Sequence, residues 1–225
     1  MTAMIEAVGL VKSYGDAPAV GPLDLVVTRG QRVVLVGHNG SGKTTLLRMA
    51  AGLLEPTEGS IDVAGRQVAS IAARATTSYL ADQPVFYDDL SVWEHLEFIA
   101  RLHDTPDWEP HAAELLDVLG LDGRGDDLPT TFSRGLRQKA AIALAFVRPF
   151  ELLLVDEPFV GLDLAGRAAL LALFDRAHAE GATLLVATHE LTTVAASERV
   201  VALRDGLVVH DGPAGEADIA VLGSA

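Results

Sequence analysis

The chain has no cysteine, no long apolar run and few basic residues, and each shortage closes off a class of protein. Without cysteine there is no disulfide framework. Met1-Thr2-Ala3-Met4-Ile5-Glu6 also lacks the basic and then apolar character of a secretory leader, so a cytoplasmic setting is expected. The longest purely apolar run, Ala140 to Val147, is far shorter than the roughly 20 residues that cross a bilayer. No direct lipid insertion is expected. Lys and Arg number 17 against 31 Asp and Glu, a formal charge of −14. That balance argues against wrapping nucleic acid or lying on anionic lipid, both of which need cationic clusters. Acids such as Asp88-Asp89 and Asp126-Asp127 are scattered as on a solvated surface. Any link to a membrane is therefore expected to run through another protein. There is no internal repeat, low-complexity stretch or heptad pattern.

What is plentiful is apolar sequence: 49% of 225 residues, enough for one sizeable core with a smaller inserted lobe. Its most informative stretch is Gly37-His38-Asn39-Gly40-Ser41-Gly42-Lys43-Thr44, between the apolar run Val33 to Val36 and a helical pattern from Thr45 to Ala51. This is the phosphate-loop spacing G-x-x-x-x-G-K-T in its strand, loop, helix context. Glycines let successive N–H groups turn inward on an anion, and the helix adds its positive end. Lys43 places a charge near the outer phosphates, and Thr44 helps hold Mg²⁺.

Along the chain, residues 4–14 and 23–28 read as strands joined through the Asp16-Ala17-Pro18 turn, with an antiparallel character. The phosphate loop then opens an α/β unit. Short strands follow at Glu58 to Gly65 and Thr77 to Leu80. From about 88 to 148 the pattern becomes helical, with helices at Val92 to Leu102, Pro110 to Leu119 and Ser133 to Val147. The apolar strand Leu152 to Asp156, a helix from Ala165 to Glu180 and the strand Thr183 to Ala187 make a β-α-β unit, and 200–203 with 207–209 a terminal hairpin. The expected fold is α/β: a P-loop core of mostly parallel sheet at about 1–87 and 149–215, an N-terminal antiparallel β subdomain, and an inserted helical lobe at about 88–148.

Phosphoryl chemistry needs an acid near the metal and a group that aims water. Asp156 ends an apolar strand and suits the Mg²⁺ shell; Glu157 is placed to orient and deprotonate the attacking water. His189 follows another apolar strand, on the same edge of a parallel sheet. Gln83 is a neutral side chain able to reach metal or water, and Tyr14 either stacks on an adenine or packs on the surface. Ser133-Arg134-Gly135-Leu136-Arg137-Gln138 opens a helix with Ser133 as N-cap, a second anion site in a chain that needs only one. Serving a nucleotide held by another copy resolves the surplus. The eight-residue recurrence of His95, His103 and His111 is not a metal spacing, since Pro106 and Pro110 interrupt the helix.

Taken in order, these motifs resemble the ATP-binding subunit of ABC transporters, from about Ile5 to Val209. The resemblance implies an adenine-stacking Tyr14 and a Walker A loop whose Gly37, His38, Asn39, Gly40, Ser41, Gly42, Lys43, Thr44 and Thr45 hold ATP. It implies a Q-loop Gln83 at the metal, and a signature at Ser133 to Gln138 in which Ser133, Gly135 and Gln138 serve the nucleotide. It further implies Walker B Asp156 with catalytic Glu157, a D-loop with Asp163, and a switch His189. Two such subunits sandwich two ATP molecules, each between one copy's Walker A and the other's signature. The cofactors implied are ATP and Mg²⁺. The partners are a second ATP-binding subunit, identical or not, and a membrane permease docking on Pro84 to Val92 and the helical lobe, which places the protein on the cytoplasmic face.

Two departures stand out. The signature reads Phe132-Ser133-Arg134-Gly135-Leu136 where L-S-G-G-Q is commonest, so Arg134 adds a charge or crowds the site. His38 replaces a frequent proline. The single-domain form is similar to exporter-type subunits. Three other readings are weighed: a soluble ABC ATPase of DNA repair or translation, a phosphate-loop kinase or GTPase, and a regulator without turnover. The acidic balance and the lack of coiled coils oppose the first, and the absence of a guanine-reading N-K-x-D segment opposes a GTPase.

Overall fold

The computed structural model describes residues 2–15, 17–188 and 191–216. The chain starts with β1 (Ala3–Ser13), β2 (Pro18–Thr28) and β3 (Arg32–Val36), then α1 (Lys43–Ala50), β4 (Glu58–Val63), β5 (Arg66–Gln67), α2 (Ile71–Thr76) and β6 (Thr77–Leu80). Helices α3 (Val92–Leu102), α4 (Trp108–Val118) and α5 (Arg134–Phe146) follow. β7 (Leu152–Asp156), α6 (Leu164–Ala179), β8 (Thr183–Ala187), α7 (Leu191–Ala195), β9 (Arg199–Arg204) and β10 (Leu207–Pro213) complete it.

Two sheets result. One has the order β2-β1-β4-β5 and is antiparallel throughout. The other has the order β10-β9-β3-β8-β7-β6; β9, β3, β8 and β7 run parallel and β10 closes it antiparallel. β3, β7 and β8 are buried at every position, as strands covered on both faces must be. Helix α1 contacts β2, β4 and β7, and its Leu46, Leu47 and Met49 join one apolar core with residues of both sheets.

The chain divides into two compact units: the first runs to Tyr79, resumes at Glu151–Glu157 and continues from His178; the second holds Leu80–Phe150 and Pro158–Ala177. In the second, α3, α4 and α5 pack on one another. Residues 80–87 and 158–177 group with these helices, not with the sheets as expected. Phe174 of α6 lies 6.4 Å from the rings of both Phe146 and Phe159, and Arg176 bonds Glu114 of α4 at 2.6 Å. Two boundaries also shift, and one short helix is unexpected. β2 starts early because an edge strand accepts a leading proline. α4 starts at Trp108 because Pro110 falls in its first turn, where no N–H is needed. The six-residue α2 is too short to leave a periodic signal.

Candidate nucleotide-binding site

Within the first unit, the phosphate loop sits between the buried end of β3 and the start of α1. Its glycines are demanded by the backbone: Gly37 has φ +149°, and a Cβ there would lie 2.2 Å from the Leu203 carbonyl oxygen. Gly42, at φ +104°, caps α1 with no side-chain bond, and no acid lies in the first turn. The N–H groups of that turn are thus left to an anion. The buried Ser41 hydroxyl has no hydrogen-bond partner among the described residues. Lys43 Nζ donates to the Gly37 oxygen at 2.7 Å and the His38 oxygen at 3.3 Å, and lies 3.9 Å from Glu157 Oε1. Thr44 is exposed and Thr45 half-buried on the same turn.

The sheet brings the acids to this loop. β3 and β7 both pair parallel with β8, Leu35 and Asp156 each opposite Ala187, so their C-terminal ends share one edge. Asp156 is 1% exposed. Glu157 donates its N–H to the Ala187 oxygen at 2.9 Å and sits at φ +44°, a conformation rare outside glycine and a known mark of functional backbone. Thr188 continues β8 at the same edge, donating to the Leu35 oxygen at 3.2 Å. His189, expected to sense the terminal phosphate, lies outside the described residues.

Within the second unit, Ser133 caps α5, its hydroxyl accepting from the Leu136 N–H at 3.3 Å. A Cβ on Gly135 would sit 2.5 Å from the Gly161 oxygen, so the signature turn and the Gly161-Leu162-Asp163 turn are pressed together. A cavity of about 380 Å³ opens there, lined by Ser133, Arg134, Gly135, Lys139 and Asp163 among others. A larger groove, about 490 Å³, is lined by Gln83, Pro84, Phe86, Arg134 and Arg137, with Asp82 and Asp88.

Residues 20–160 match the ABC transporter family. The chain belongs to that family. This ABC protein is 38% identical over 215 residues to a candidate ABC transporter ATP-binding protein of Halobacterium salinarum, with 93% of each covered. It is 36% identical over 205 residues to the aliphatic sulfonates import ATP-binding protein SsuB of Pseudomonas putida, covering 90% of this chain and 74% of that one. It is 31% identical over 221 residues to the macrolide export ATP-binding/permease protein MacB 1 of Aeromonas hydrophila subsp. hydrophila, covering 92% of this chain and 34% of that one. A solved ATP-binding subunit of an ABC transporter matches with a TM-score of 0.88 at 32% identity, over 93% of this chain and 90% of that one. The ATP-binding cassette MJ0796, dimeric with ADP and Pi, matches with 0.86 at 21% identity, over 94% and 99%, a likeness of fold.

The protein is thus an ABC-type ATPase, the ATP-binding subunit of a transporter. Two residues of this ABC subunit expected to serve the nucleotide also make bonds within the second unit. Gln138 is 3% exposed and donates its side-chain N–H to the Pro158 oxygen at 3.1 Å, bracing that turn. Asp163 accepts from the Gly166 N–H at 2.7 Å and from Lys139 at 3.2 Å, which makes it the cap of α6. The Gly166 N–H, and next the Lys139 ammonium, hold its carboxyl below the usual range. Tyr14 is 65% exposed just past β1, with Lys12 Nζ 5.5 Å above its ring, so it is not packed on the surface. Gln83 is exposed in the groove of the second unit. Sequence reasoning missed the Lys139–Asp163 pair, whose partners are 24 residues apart, and the approach of His38 Nε2 to Asp205, 3.7 Å.

The three spaced histidines each have a separate task. His95 is buried, accepts from the Tyr87 N–H at 2.9 Å and bonds the Ser91 oxygen at 2.7 Å. His111 donates to the Phe146 oxygen at 3.0 Å. Burial, and next the charge of Arg148, pushes the His103 imidazole down.

Proposed function

We infer that this subunit hydrolyses Mg·ATP in a head-to-tail pair with a second copy and drives export through a separate permease on the cytoplasmic face of a membrane. The observation that carries the reading is the meeting of Lys43, Asp156 and Glu157 at one sheet edge beside an uncapped phosphate loop. Mg²⁺ suits the oxygen donors there: the buried Asp156 carboxylate and the exposed Thr44 hydroxyl. The ion supplies charge neutralisation at the phosphates.

The chain's own groups do the rest. Inward N–H groups of residues 37–45 hold the phosphates and Lys43 adds its charge, exchanging carbonyl partners for phosphate oxygens. Tyr14 stacks on the adenine, His189 senses the terminal phosphate, and Glu157 takes the proton of the attacking water. Ser133 and Gly135 contact the nucleotide of the second copy, the same arrangement on both sides if the copies are identical.

The groove bordered by Gln83, Pro84 and Phe86 receives the permease. Exposed Val85 and Tyr87 lie beside it in sequence, and Tyr87 meets Phe98 of α3 edge-on at 5.6 Å, an apolar strip for the same partner. No helix among the described residues is long and apolar enough to cross a membrane. The signature segment supports export, although relatives include an importer as well as an exporter.

The test is Mg·ATP hydrolysis against protein concentration, with Glu157→Gln alongside. Turnover per chain should rise with concentration, and the variant should bind ATP yet lose at least about 100-fold in rate, the low end for a general base. Unchanged turnover in the variant would remove Glu157 from its role. Transport direction is read by reconstituting the subunit with its permease in vesicles.

A further inference from the structure

Lys12 directs its charge at neutral groups. It stands in the last turn of the pleat of β1, two residues before Tyr14, and the two-residue repeat of a strand brings such neighbours to the same face. Lys12 Nζ lies over the Tyr14 ring, 5.5 Å from its centre, within the range of a cation–π contact. The same ammonium donates to the Glu55 carbonyl oxygen at 2.8 Å. No carboxylate pairs with Lys12 among the described residues, although Asp and Glu outnumber Lys and Arg by 31 to 17. Exposed Arg101 and Arg124 each have one, in Glu97 and Asp127.

The segment that tethers Lys12 also fixes the backbone beside it. Thr57 donates its N–H to the Val11 oxygen at 2.7 Å, and its hydroxyl accepts from the Ser13 N–H at 3.1 Å. Residues 11–13 are thus held by residues 55–57, partners 43 and 44 positions away in the chain. Tyr14 itself remains 65% exposed. One face of its ring is covered by the half-buried Lys12, and the other is left to a planar partner. A ring already oriented loses less freedom when a ligand stacks on it. The ammonium also draws electron density from the ring, which eases the approach of a second π face.

We propose that Lys12 is a positioning residue for the nucleotide base: tethered to the Glu55 carbonyl, it sets the Tyr14 ring so that the free face receives the adenine. The assignment rests on the stacking role given to Tyr14 above. Lys12 acts through the ring, so its contribution belongs to the base half of the ligand. A nucleotide gains from it, and a bare phosphate chain does not.

The experiment measures binding of Mg·ADP and of Mg·pyrophosphate by titration calorimetry; ADP carries the base and is not turned over, and pyrophosphate lacks the base. Lys12→Met, which keeps a long side chain and removes its charge, should weaken ADP binding by about two- to fivefold, the worth of an exposed cation–π contact. Pyrophosphate binding should be unchanged, a readout that damage to the fold would move. Lys12→Arg should restore most of the lost ADP affinity. Added to Tyr14→Ala, Lys12→Met should cost nothing further. Where Tyr14→Ala itself weakens ADP, three results overturn the proposal and leave the stacking reading standing: unchanged ADP binding in Lys12→Met, equal weakening of ADP and pyrophosphate, or the same loss with Tyr14 already removed. Full ADP affinity in Tyr14→Ala overturns both.

Discussion

Glu157 shows how a single position gathers the constraints of the site. Its backbone is held at φ +44° by the bond to Ala187, a costly geometry that aims its carboxylate within 3.9 Å of the Lys43 ammonium. Gly135 is constrained by space alone, with the Gly161 oxygen 2.5 Å from where a methyl would be. Gly135→Ala is expected to cost about 1–3 kcal/mol of stability, the usual range for overpacking. It should also depress turnover while leaving ATP binding by the phosphate loop in place. Urea unfolding and a binding titration check this; an unchanged midpoint would mean that the Gly161 turn yields freely.

Helix α3 is secured by its own first turn. Ser91 accepts from the Glu94 N–H at 3.2 Å while the Glu94 carboxylate accepts from the Ser91 N–H at 2.7 Å, a reciprocal capping box. His95, one residue on, ties this turn to the Tyr87 segment beside the groove. Ser91→Ala should therefore cost about 1 kcal/mol, as caps typically do, seen as a lower urea midpoint. No loss of stability would show that the Glu94 bond alone suffices. Helix α5 differs: its cap Ser133 also belongs to the candidate site, so its start is shaped by function as well as by stability.

Across the folded chain, several carboxyls are held below their usual range: Glu94 by the Ser91 N–H, Glu114 by the Arg176 guanidinium and Asp163 by the Gly166 N–H. A depressed folded value favours the charged form in the native state, so this stability is present above the unfolded value, about 4, and is lost as pH falls through the lower folded values. His103 adds an earlier step. Its value is lowered by burial, so protonation below about pH 6.5 favours the unfolded chain. Urea midpoints should decline gently below pH 6.5 and steeply below 4. His103→Gln should remove the first decline and Glu114→Gln part of the second; a flat profile would contradict both.

The residues that announce themselves along the chain are those whose task is local. Gly37 to Thr44 make one turn, so spacing alone shows the loop, and Leu152 to Asp156 is apolar because a central parallel strand meets no water. Ser133 is readable as a cap because its bond spans three residues. Other features need the folded chain. Gln138 bonds Pro158 across 20 residues and Lys139 meets Asp163 across 24, and no periodicity carries such separations. The grouping of α6 with the helices depends on aromatic packing between Phe146, Phe159 and Phe174. Arg134 reads in the chain only as a departure from a motif, and its cover over Gly161 exists only after two distant turns have packed. Backbone-directed features are written in consecutive residues because hydrogen bonds within a turn are short-range, whereas the partners of a side chain are chosen by packing, which only the tertiary fold completes.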